Sequence, residues 1–105
     1  APILETKGRT IDFGVVKQNS KKSFRFNLTN KGINALEIRR IINNNSELKV
    51  VPAKMTIKSG KVQNLAIDLN AKLLPEGEYK KSITLQTNDP DNSFVILVIN
   101  WKVQK

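Results

Sequence analysis

The sequence contains no cysteine and no histidine. The first absence excludes disulfides, cysteine-bound zinc, iron–sulfur clusters and a thiol nucleophile. The second removes the usual general base near neutral pH and the commonest transition-metal ligand. The serines therefore lack an activating partner, and no Gly-x-Ser-x-Gly element is present. Neither Gly-x-Gly-x-x-Gly nor a Walker loop occurs. Aromatics are sparse, with four Phe, one Tyr and one Trp in 105 residues, which leaves few side chains for base stacking. No apolar run approaches the ~20 residues of a membrane-spanning helix. The chain opens Ala1-Pro2-Ile3-Leu4-Glu5 with no charged stretch leading into an apolar one. That opening fits a cytosolic protein, a mature chain after signal removal, or an excised domain.

Acidic residues are also scarce. Nine Asp and Glu stand against 18 Lys and Arg, a formal net charge of +9. Such a surface favours acidic partners, whether nucleic acid, anionic lipid, acidic glycan or protein, without choosing among them. The basic runs are only pairs, Lys21-Lys22, Arg39-Arg40 and Lys80-Lys81. No polybasic block of the membrane- or nucleic-acid-binding kind occurs, and dispersed solvated charge is the simpler reading.

What the chain does have is period two. Residues 23–30 put Phe24, Phe26 and Leu28 on one face and Arg25, Asn27 and Thr29 on the other. Residues 62–70 repeat this with Leu65, Ile67 and Leu69, and residues 79–88 with Tyr79, Ile83, Leu85 and Thr87. Alternation of this kind marks a half-buried strand. Residues 36–42 alternate and then change phase at Arg39-Arg40, which predicts a bulge or a crossing between sheets. Residues 94–99, Phe-Val-Ile-Leu-Val-Ile, are apolar on both faces. Such a strand is either covered on both sides, the reading preferred here, or turns its outer face to a partner. Trp101 and Val103 continue one of its faces. Shorter strands are predicted at 3–4, 11–16, 48–51 and 55–57. Gly, Pro, Asn and Asp punctuate the gaps, as at Asn30-Lys31-Gly32 and Asn88-Asp89-Pro90-Asp91-Asn92. Helical signal is nearly nil. Seven to nine strands over residues 1–105 predict one all-β, immunoglobulin-like antiparallel sandwich.

The order of these signals is itself informative. Ile11-Asp12-Phe13-Gly14-x-Val16 is followed by Leu28-Thr29-Asn30-x-Gly32, Leu36-x-Ile38, Ile57-x-x-Gly60, Gly77-x-Tyr79 and Ile83-x-Leu85-x-Thr87-Asn88-Asp89-Pro90. From residue 2 to about 103 this resembles a bacterial family of immunoglobulin-like domains of unknown function. It is also similar to the hydin-type (ASH) and major-sperm-protein-like domains. The resemblance implies a seven-to-nine-stranded sandwich without catalytic activity or cofactor. It also implies an extracytoplasmic or envelope setting for many bacterial relatives, while the hydin-type relatives are intracellular. Many bacterial members carry a cysteine pair after the third strand. Here that region reads Asn43-Asn44-Asn45-Ser46, so no redox or metal role carries over.

Candidate chemistry is thin. Glu76 with Glu78, and Asp89 with Asp91, are the carboxylate pairs closest to an acid/base arrangement. Both read as solvated loop charges, and Asp89-x-Asp91 lacks the rest of a calcium loop. Asp12-Phe13-Gly14 reads as a strand kink at which Gly permits close approach. By alternation the four Phe fit core positions, leaving Tyr79 and Trp101 as the aromatics able to face out, and for Trp101 a capping core position near the chain end is the preferred reading. Arg25, Arg39 and Lys81 are candidates for a basic stripe on one sheet face. The expectation is a non-catalytic structural or protein-interaction module, with a binder of nucleic acid or acidic glycan as the alternative. The candidate interaction residues are Arg39, Arg40, Lys80, Lys81 and Trp101. No catalytic, metal or cofactor residue is assigned.

Overall fold

The alternating segments form nine strands in a computed structural model that describes residues 1–105. They are β1 (Leu4–Glu5), β2 (Thr10–Lys17), β3 (Lys21–Asn30), β4 (Leu36–Ile42), β5 (Leu48–Val51), β6 (Met55–Ile57), β7 (Val62–Asn70), β8 (Gly77–Thr87) and β9 (Phe94–Gln104). A four-stranded sheet runs β1-β3-β7-β5 and a five-stranded sheet runs β2-β9-β8-β4-β6. The result is the all-β immunoglobulin-like sandwich that the alternation predicts. No helix of the structure is long and apolar enough to cross a membrane.

Strand parity builds the core. Phe26 and Leu28 of β3 and Leu65, Ile67 and Leu69 of β7 face inward from one sheet. Ile83 and Leu85 of β8, with Val95, Leu97, Ile99, Trp101 and Val103 of β9, face them from the other. Burying this many branched side chains is the main favourable term for a cysteine-free sandwich. Trp101 lies opposite Tyr79 in the β8–β9 ladder. Their rings stack 5.2 Å apart at 6°, and Tyr79 Oη donates to the Pro75 carbonyl at 2.7 Å. Trp101 is thus a core residue and does not face out.

Two of the four Phe depart from the expected core positions. Phe24 has inward parity but is 39% exposed, because β1 covers β3 only at Thr29 and Asn30 and leaves the rest of that edge bare. Its ring meets Phe13 edge-on at 6.4 Å. Phe94 is 59% exposed. Its neighbour Val95 pairs with Leu85 and takes the inward position, so parity sends Phe94 outward.

The chain changes sheets early. After β1, residues 6–9 carry it across, and β2 then runs parallel to β9. Every other ladder is antiparallel. The β2 register slips between Asp12 and Val15, where Asp12 Oδ1 accepts the Gly14 N–H at 2.8 Å. The expected kink is therefore real, but its cause differs. Gly14 has φ of 71°, and a Cβ there would meet nothing within 4 Å. The positive φ, not close approach, selects glycine. The bulge expected at Arg39-Arg40 is also present, as a register slip against β8 between Ile38 and Arg40.

One end of the sandwich is closed by polar groups that tie down the N-terminal segment. Asn30 is fully buried. Its Oδ1 accepts from Gly32 N at 2.9 Å and Ile3 N at 3.3 Å, while its Nδ2 donates to the Asn34 and Ile57 carbonyls. Close approach does operate at Gly32, where a Cβ would run into the Ala1 carbonyl and sit 2.7 Å from Ile3 N.

Candidate interaction surface

The carboxylate pairs do not form an acid/base site. Asp89 is buried, which corrects the reading of it as a solvated loop charge. Its Oδ2 accepts from Leu4 N at 2.8 Å and Asn92 Nδ2 at 3.0 Å, and its Oδ1 accepts from Asp91 N at 2.9 Å. Burial pushes its pKa up, but the Asn92 side chain and the backbone N–H groups of Leu4, Asp91 and Asn92 outweigh burial and hold it below the ordinary value. Asp91 and Glu76 are exposed as expected, and Glu76 accepts the Lys105 N–H at 2.9 Å. Glu78 sits opposite Lys102. Around it an open depression of about 470 Å³, beside the β2 bulge, interleaves Asp12 and Glu78 with Lys80 and Lys102. The charges there offset one another.

The basic candidates separate. Arg40 lies opposite Gln86, and Lys80 lies six residues earlier on β8. Six residues of strand span roughly 20 Å, so the two pairs do not converge. Arg39 stands at the bulge and pairs with Glu37 at 3.5 Å, both side chains being exposed. Such a pair contributes little. Lys81 lies opposite buried Ile99 and shares the inward parity of Ile83, whereas Arg25 lies opposite Ala66 in the other sheet. The single basic stripe of Arg25, Arg39 and Lys81 is not formed.

What the fold does bring together is apolar. On the outer face of the five-stranded sheet, Phe94 sits beside Gln86 and Arg40, and Ile96 sits beside Thr84 and Ile42. Val98 follows, opposite Ser82. Phe94 is 59% and Ile96 is 56% exposed. Neither sheet nor loop covers them, so the expectation of a strand covered on both sides is corrected. The outer face of the four-stranded sheet is different. Ser23, Arg25 and Asn27 lie there opposite Asp68, Ala66 and Asn64, and Arg25 Nη1 reaches Asn64 Oδ1 at 3.5 Å.

A family model described as HYDIN/CFA65/VesB-like, Ig-like domain matches residues 2–100. The chain belongs to this family. In this HYDIN/CFA65/VesB-like domain the Asn30-x-Gly32 and Thr87-Asn88-Asp89-Pro90 elements close the N-terminal end. Their role here is structural. Three solved structures illustrate the fold. A Porphyromonas gingivalis W83 protein of unknown function superposes with a TM-score of 0.87 at 18% identity, over 96% of this chain. This chain spans 46% of that protein's length. The ASH/PapD-like domain 7 of human CEP192 gives 0.73 at 10% identity, covering 97% of this chain and 85% of that one. The periplasmic chaperone SfaE gives 0.71 at 14% identity, covering 97% and 58%. No curated protein matches the chain.

Proposed function

We propose that this HYDIN/CFA65/VesB-like chain is a non-catalytic protein-docking module that works through the outer face of its five-stranded sheet. The observation that carries the reading is the pair Phe94 and Ile96, more than half exposed and adjacent on β9. Large apolar side chains grouped in the open mark interaction surfaces, whereas single ones need no explanation. Arg40 in the row of Phe94, and Lys80 beyond Val98, supply a polar rim on the same face. The chaperone among the similar structures supports a protein partner, and its periplasmic location supports an extracytoplasmic or cell-envelope setting. Residues 1–105 act as one unit in this reading. The anionic-polymer alternative is less favoured, because the basic side chains divide between the sheets and Trp101 and Tyr79 stack on each other.

Site-specific photo-crosslinking in the native host tests the face. A crosslinking residue at Ile96 gives discrete protein adducts that the Phe94→Glu substitution abolishes. The same residue at Asn64, on the other sheet, gives none. Equal labelling from both faces, or none from Ile96, overturns the proposal.

A further inference from the structure

The outer face borders an open strand edge. In β8, Thr87 N donates to Ser93 O on the β9 side, while Asn88 N donates to Glu37 O on the β4 side. Successive residues of a strand turn their backbone groups to opposite neighbours, so even-numbered residues of β8 face β4. The β4 ladder reaches only to Ile42 opposite Thr84, after which the chain leaves the sheet. Beyond that point Ser82 O is capped by Asn45 Nδ2 at 2.9 Å. The Ser82 N–H and both backbone groups of Lys80 and Glu78 have no protein partner. This vacated lane is concave. An open groove of about 490 Å³ is lined by Lys80, Lys81, Asn45 and Ser82, with Ile96 and Val98 on its apolar side. Lys80 and Lys81 border it from opposite faces of β8, and the Glu78 carboxylate lies beyond its end.

We infer that the docking partner presents an extended acidic segment that adds as a strand to the open edge of β8 from Glu78 to Ser82, an inference that rests on the docking reading above. Unpaired N–H and C=O groups are the template for strand addition. Alternating side chains of the added strand would share the outer face with Ser82, whose small side chain alone separates them from Val98 on β9. Lys80 on the outer face and Lys81 on the inner flank the lane from both sides, which favours carboxylates and rejects a basic strand, a second copy of this chain included. The Asn45 cap blocks one acceptor and so limits the addition to the part of β8 before it.

The test uses a short peptide alternating valine with glutamate, its lysine counterpart, and amide hydrogen exchange. The acidic peptide slows exchange at Glu78, Lys80 and Ser82, and the lysine peptide does not. Ser82→Pro removes an N–H that faces no strand, keeps both lysines and the Asn45 cap, and suits an edge position. It lowers affinity about tenfold or more, as expected for lost backbone hydrogen bonds and a blocked approach. Lys80→Glu with Lys81→Glu leaves the backbone intact and reverses the preference between the peptides. No binding of the acidic peptide, or undiminished binding by both variants, overturns strand addition. If Phe94→Glu abolishes the Ile96 crosslinks while Ser82→Pro and the lysine variants bind unchanged, the docking face survives and only the strand inference falls.

Discussion

At the residue scale the decisive group is Asp89. It links Leu4, 85 positions away in sequence, to the turn after β8. A buried carboxylate is tolerated only when N–H donors satisfy its oxygens, and here backbone and amide donors do so. Those donors hold its folded pKa below the ordinary value, about 3.9 in an unfolded chain. The sign follows from that depression. The contribution is complete above the unfolded value and is lost as pH falls from about 4 through the lower folded value. Asp89→Asn replaces one acceptor oxygen with an N–H₂ that faces donors. It lowers stability at neutral pH by about 2 kcal/mol in urea unfolding, and it flattens the fall in stability on the acid side. An unchanged acid profile would show that Asp89 carries no linked stability.

At the scale of elements, period two located β3, β7 and β8 because alternation is a local property, while β9 was marked by its apolar run. It did not decide which face turns inward where both are apolar. In β9 that choice came from the ladder, since Val95, Leu97 and Ile99 pair with Leu85, Ile83 and Lys81. The exposed apolar face proposed for docking therefore emerges only with the register, although the unbroken apolar run of 94–99 announced its material. The open edge of β8 was invisible for a related reason, since it depends on where β4 leaves the sheet. The burial of Asp89 depends on β1 arriving from the far end of the chain. A contrast within β9 checks the assignment of faces. Trp101→Ala empties a stacked core position and costs about 3 to 5 kcal/mol. Phe94→Ala changes stability by no more than about 0.5 kcal/mol. A large loss from Phe94→Ala in the isolated chain would mean that its ring is buried and that the face is closed.

At the scale of the whole molecule, a charge of +9 lies on an elongated body of 48 × 20 × 19 Å. Charges on both sheets are then separated by distances beyond the Debye length, about 8 Å at physiological ionic strength. A polyanion meets them as a diffuse field, without a contact that depends on position. Retention on heparin follows at low salt and weakens steeply as salt rises, with a slope set by the number of contacts. Charge reversal of Arg39 and Arg40 lowers the eluting salt concentration by the same step as reversal of Arg25 and Lys49, because each pair removes the same charge. A much larger step for one pair would identify a built polyanion site and move the function from the apolar face to that pair. Equal steps leave the net charge with two physical roles, solubility and the steering of acidic partners toward the surface. In the proposed reading the choice among those partners then falls to the β8–β9 face, where exposed apolar side chains and unpaired backbone groups meet.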